Sequence, residues 1–398
     1  MINETFALLA GIAAGTAGLL PFLHTNAILQ FLQNQFDNPI SLAIFAAALA
    51  GSHAAFEAAP AVFFAVPSAN QATSVLPAHS LALQGKGLAA LKIILYSLAI
   101  GFCLAILLTP LSSLVLPLAA EAIKPVAALA LAAATAAFVL SEKNFFKAAK
   151  GIGLLVLSGA IGFLALNYKI CNEPLFALLS GFFCIPALLL AKQGKTPPEN
   201  NSANQTIRID KKHALAGAIL GCASVLLPAM TPAVLAAIAF SALERKPIAF
   251  LSLASAIAGS KLAFDFAATA FIGKARSGAA AVAMNALGTP TTSETILILT
   301  ACAAALFTAT ALLLFAFKKI SKTYSRLPKW TNPACVIIVT AMVAVQCGPS
   351  GLLVTAAATA TGLLATTTGS RRSYCNGCLI IPALLYVTGL SYAAALLL

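Results

Sequence analysis

Charge is what this sequence has least of. Only 9% of its 398 residues are Asp, Glu, Lys or Arg, against 60% hydrophobic, and the mean hydropathy is +0.95. A water-soluble fold of this length needs far more charged surface, so a soluble enzyme or binding module is excluded. Acids are scarcer than bases, 11 against 24, for a formal charge of +13. Histidine occurs four times and H-E-x-x-H is absent, which removes the commonest helical zinc pattern. Short alternating segments of the kind a membrane β-barrel needs are also missing. The cysteines fall mostly inside apolar runs, where Cys behaves as a small hydrophobe. Cys375-Asn376-Gly377-Cys378 is a lone C-x-x-C and reads as structural. No basic segment precedes the first apolar run, so no cleaved signal peptide is expected.

What is present is a succession of apolar runs of about 18 residues or more, each able to span a bilayer core of about 30 Å as a helix. The reading is an all-α polytopic protein of the cell membrane. Most Lys and Arg sit in a few short connections between these runs. That is the positive-inside pattern, so the charge reports orientation and no nucleic-acid partner is expected.

One seven-residue stretch occurs twice. Gly51-Ser52-His53-Ala54-Ala55-Phe56-Glu57 is answered by Gly259-Ser260-Lys261-Leu262-Ala263-Phe264-Asp265. Ionisable groups inside apolar sequence are costly unless paired or facing a cavity, so both copies are candidate functional sites. In each, base and acid are four apart and share a face if the segment is helical. The plainer alternative is a structural ion pair between helices.

Two further signals repeat. The first apolar run breaks at Leu20-Pro21-Phe22-Leu23-His24-Thr25-Asn26, and its counterpart breaks at Leu227-Pro228-Ala229-Met230-Thr231-Pro232. Proline opens the helix ladder, which at membrane depth is tolerated where the freed groups line a cavity. Pro39 to Pro67 and Pro247 to Ile272 then carry the Gly-Ser stretch near their middles. About 12 residues on either side suit a re-entrant hairpin with Gly51-Ser52 and Gly259-Ser260 as tips offering free amides; a single tilted spanning helix is the other arrangement.

Gly153-Leu154-Leu155-Val156 recurs as Gly351-Leu352-Leu353-Val354, and Ile185-Pro186-Ala187-Leu188-Leu189 as Ile381-Pro382-Ala383-Leu384-Leu385, in the same order as the other pairs. The chain therefore reads as a duplication, 1–191 and 213–398, joined by a polar cytoplasmic linker at 192–212. Lys143, Lys147 and Lys150 crowd a connection whose counterpart, Gln346 to Ser350, is uncharged. Lys318, Lys319, Lys322, Arg326 and Lys329 crowd one whose counterpart is nearly neutral. The two repeats are thus expected to cross in opposite senses, with linker and Lys318–Lys329 loop inside and both termini outside. Parity then requires one early segment of each repeat not to cross. Lys274 and Arg276 fall on the outside in this scheme, against the trend.

Such a layout gathers Pro21, Thr25, Asn26, Gly51, Ser52 and His53 with Pro228, Thr231, Gly259, Ser260 and Lys261 as a candidate binding site for an organic anion such as a carboxylate. Glu57 and Asp265 are the ion-coupling candidates, able to pair with the bases, bind Na⁺ or carry a proton. No cofactor is expected beyond Na⁺ or H⁺ as coupling ion. An ion or solute channel and an intramembrane enzyme using His53 and Glu57 are the other classes. Rings of like charge are not evident for the first, and Lys261 replaces the histidine for the second.

Leu20-Pro21 after a glycine-rich helix, Gly51-Ser52, Val66-Pro67-Ser68 and Leu76-Pro77-Ala78-His79-Ser80-Leu81-Ala82-Leu83-Gln84-Gly85-Lys86-Gly87 resemble the large permease subunit of the tripartite tricarboxylate transporters, on its shorter archaeal-type branch. The resemblance implies uptake of di- or tricarboxylates such as citrate, driven by an ion gradient. In the bacterial members it also implies a small membrane subunit and an extracytoplasmic binding protein. It supports Pro21, Gly51, Ser52 and Pro228 as site elements. Phe22 and Ala229 stand where the family usually has glycine after the proline.

Overall fold

The computed structural model describes residues 2–20, 25–64, 75–140, 142, 144–190, 209–226, 232, 235–236, 239, 246–325 and 330–390. The first half holds α1 (Ile2–Gly15), α2 (Thr25–Leu32), α3 (Pro39–Phe56), α4 (Ala58–Phe64), α5 (Val75–Leu83) and α6 (Gly87–Ile123). It continues with α7 (Ala127–Leu140), α8 (Phe145–Asn167), α9 (Pro174–Leu179) and α10 (Ile185–Leu190). The second half holds α11 (Lys211–Ser224), α12 (Pro247–Phe271), α13 (Gly278–Leu287), α14 (Thr292–Phe315), α15 (Phe317–Ser325), α16 (Thr331–Thr367) and α17 (Gly377–Val387). Among the described residues six helices are long and apolar enough to cross a membrane: 39–63, 87–123 and 145–167, then 247–271, 292–315 and 333–367. They fall three to each half. The chain is an all-α, multi-pass membrane protein.

Helix ends follow local chemistry. Asn38 accepts the Ile40 and Ser41 N–H at 2.9 and 3.3 Å ahead of Pro39, and Asp210 caps α11 through the His213 N–H. Thr291 and Glu294 form a capping box at α14. Each satisfies amides that a helix leaves open at its start. Gly85 and Gly288, both at φ 73°, turn the chain into α6 and α14. Gly348, at φ 71° and ψ −171° before Pro349, divides α16 into two helices. A side chain would be strained at these backbone angles.

Packing does not follow the linker. One core joins α1, α3, α5 and α6 to α12, α13 and α14, and a second joins α7 to α10 with α16 and α17, so each bundle takes helices from both halves. The contacts come in matched pairs. A β-carbon on Gly51 would stand 2.4 Å from the Cys302 carbonyl oxygen, and one on Gly259 would stand 1.9 Å from that of Leu98. In the second bundle Gly162 lies against Cys378 and Gly362 against Phe182 in the same close manner. Small residues let membrane helices approach to backbone contact, where dispersion replaces the missing hydrophobic drive.

The expected Gly-Ser hairpin tips are not formed. Gly51-Ser52 lies within α3 and Gly259-Ser260 within α12, both continuous through those positions, so the single-helix arrangement is the one adopted. A continuous apolar helix keeps its interior amides bonded internally, which a tip in the bilayer would forfeit. Gly11 packs on Phe45 and Ala48, Gly15 on Ser52, and Gly18 on the His53 to Glu57 turn, so α1 and α3 run parallel. Gly217 and Gly221 pack α11 along α12 in the same parallel way.

Candidate functional site

The parallel packing brings each helix break level with a charged pair. Helical geometry ends at Leu20 (φ −96°, ψ 122°), two residues beyond the Gly18 contact with His53 and Glu57. On α3 His53 Nδ1 lies 3.7 Å from Glu57 Oε2, and both side chains are buried. In the second half α11 ends at Ser224, just ahead of the second break. On α12 Lys261 Nζ donates to Asp265 Oδ1 and Oδ2 at 2.5 and 2.6 Å. The four-residue spacing thus pairs base with acid in both copies, as helical geometry dictates.

The connection after α12 folds back over the second pair. Lys261 Nζ also donates to the Arg276 carbonyl at 3.3 Å, and the Ser277 side chain bonds the Asp265 carboxylate. Arg276 Nε donates to the Val225 carbonyl at 2.7 Å and Nη2 to that of Leu226 at 3.4 Å. Its guanidinium therefore closes the carbonyl end of α11, where the partial negative charge of a helix terminus favours a cation. Two cations and one carboxylate share this pocket of backbone, leaving an excess of positive charge beside the break. Sequence reasoning placed Arg276 outside the site. The one available signal was that it violated the positive-inside trend, as a charge held by the protein rather than by water does.

Across the halves, Asn26 at the start of α2 reaches the start of α13. A β-carbon on Gly278 would lie 2.1 Å from Asn26 Oδ1, so the glycine makes room for the amide beside Ser277 and Arg276. Thr25, next to it, is half-buried. Pro21, Pro228 and Thr231 lie outside the described residues. The Gly-Ser stretches sit at helix contacts. Ser52 and Ser260 are fully buried, donating to the Gly11 carbonyl at 3.2 Å and to the Ala218 carbonyl at 2.5 Å. They tie α3 to α1 and α12 to α11, and Gly51 and Gly259 lie at helix crossings. Among the described residues no three His, Cys, Asp or Glu side chains converge as a metal cluster.

Comparison with known proteins gives the chain its family. The model of the tripartite tricarboxylate transporter TctA family matches residues 5–376. An uncharacterized protein of Methanocaldococcus jannaschii is 27% identical over 286 residues, covering 70% of this chain and 72% of that protein. No solved structure matches the chain significantly. With nearly its whole length matched, the chain belongs to the tripartite tricarboxylate transporter TctA family, a family of transporters and not of enzymes.

Proposed function

We propose that the protein is a secondary active transporter of a di- or tricarboxylate such as citrate, coupled to a Na⁺ or H⁺ gradient and working by alternating access. The observation that carries this reading is the cluster of Lys261, Asp265 and Arg276 at the end of α11. A substrate carboxylate is the natural competitor for the two cations. When it engages Lys261 or Arg276, Asp265 loses a partner and must take another cation, a proton or Na⁺, because an unpaired buried carboxylate is costly. Binding of anion and cation are thereby linked, which is the elementary requirement of symport.

Inverted halves give the alternation. Glu142 meets Arg371 at 2.9 Å at one end of α8, and Ile170 meets Ser350 at 2.6 Å at the other. Hence α8 runs antiparallel to residues 349–367, the segment whose sequence echoes it. That arrangement supports the reading of two repeats crossing in opposite senses, with the site between broken helices. A small membrane subunit and an extracytoplasmic binding protein are the partners this reading assigns, since the family is tripartite. The test is uptake of labelled citrate and succinate into proteoliposomes under imposed Na⁺ or proton gradients, with and without a binding protein. Saturable, gradient-dependent uptake is expected; gradient-independent flux would reject the coupling.

A further inference from the structure

At one end of the second bundle the turn after α8 is fastened to the kink of α16. Ser350 Oγ donates to the Ile170 carbonyl at 2.6 Å, and Cys347 Sγ donates to the Glu173 carbonyl at 3.4 Å. Cys171 and Cys347 are neighbours across this junction. A β-carbon built on Gly351 would stand 2.1 Å from Cys347 Cβ and 3.6 Å from Cys171 Cβ, so the two cysteine β-carbons are separated by at most the sum, 5.7 Å. A disulfide asks for about 3.5–4.5 Å. The turn can supply the remaining movement, because Tyr168, Lys169, Ile170 and Asn172 around Cys171 are exposed. Both cysteines are thiols in this structure.

Sidedness decides their chemistry. Lys147, Lys150, Arg371 and Arg372 lie at the opposite end of α8, where Glu142 pairs with Arg371. By the positive-inside rule that end is cytoplasmic, and the Cys171–Cys347 end faces the oxidising side. We propose that Cys171 and Cys347 form a disulfide on the extracytoplasmic side, cross-linking the two halves of the chain. The inference rests on the orientation given above. The step is exchange with an extracytoplasmic disulfide oxidant. One cysteine thiolate attacks an oxidant sulfur, the second cysteine displaces it, and the oxidant departs as two thiols carrying both electrons and both protons. Cys184 and Cys335 lie farther toward the cytoplasmic end and provide an internal control that stays reduced.

The experiment alkylates native membranes with N-ethylmaleimide after acid quenching and reads non-reduced peptides by mass spectrometry. The expected result is a Cys171–Cys347 linked peptide with Cys184 and Cys335 alkylated, and a dithiol reductant that lowers the thermal stability of the wild type but not of Cys347→Ser. Alkylated Cys171 and Cys347 would overturn the proposal. Orientation is read separately, by labelling Asn172→Cys in a Cys171→Ser/Cys347→Ser background with a membrane-impermeant maleimide on intact cells. Labelling together with reduced wild-type thiols defeats the disulfide alone; absence of labelling defeats the orientation and the disulfide with it.

Discussion

Replacing Lys261 by Met separates what the ion pair does for folding from what it does for transport. Lys261 contributes two bonds to Asp265, whose side chain is only 5% exposed, so the single change leaves a buried carboxylate with Ser277 and a more distant Arg276. Breaking one side of a buried pair costs about 3–5 kcal/mol, whereas replacing both sides by neutral groups is close to neutral. Lys261→Met should therefore lower thermal stability by several degrees, and Lys261→Met/Asp265→Asn should return it to within about 1 kcal/mol of wild type. Transport should not return with it, since the double variant has lost both the anion's cation and the coupling acid. The assay is heat inactivation followed by size-exclusion chromatography, beside uptake in proteoliposomes. A double variant that is both stable and active at the wild-type rate would make the pair purely structural and refute the reasoning.

Other outcomes follow from the same geometry. Arg276→Gln keeps a donor near the Val225 and Leu226 carbonyls but removes the charge, and should raise the KM for a carboxylate about tenfold, roughly 1.4 kcal/mol, with smaller loss of maximal rate. Gly259→Ala drives a β-carbon into the Leu98 backbone and should abolish folded expression, judged by monodisperse protein yield. Gly278→Ala meets the Asn26 side chain first, so it should fold, and Asn26→Ala should relieve its strain measured as recovered thermal stability. Hydrogen bonds from His213 hold the Asp210 carboxyl below its usual 3.8, so its cap on α11 is complete above that pH and is lost as pH falls through the lower folded value. Hydrogen exchange of the first-turn amides of α11 should accelerate only in that acid window, and Asp210→Ala should show the fast exchange at neutral pH.

Much of this was legible because membrane helices obey few rules. Apolar run length marked the segments that hold the six long helices, though 39–63 and 247–271 were expected to be hairpins, and the proline after Leu20 marked the end of helical geometry there. The four-residue spacing gave the Lys261–Asp265 and His53–Glu57 pairs directly. What sequence could not separate was a glycine at a hairpin tip from one at a helix crossing, because both uses exploit the missing side chain. Gly51 and Gly259 turned out to be crossings, and Ser52 and Ser260 to be ties to a neighbouring helix. Arg276 was harder, since it acts through a carbonyl about fifty positions away. The grouping into two mixed bundles has no local signal either. It arises only when matched glycines from different halves meet, as Gly162 and Gly377 do against Cys378 and Leu155.

Coupling runs in both directions if it exists, because linkage between two bound species is reciprocal. Proteoliposomes with equal Na⁺ and equal pH on both sides should therefore be given an inward citrate gradient while internal Na⁺ and pH are followed. The account predicts that citrate entry carries one of these cations inward, and that Lys261→Met/Asp265→Asn abolishes the movement. Citrate entry with neither cation moving would contradict it, leaving a facilitated pathway in which the Lys261–Asp265 pair couples nothing.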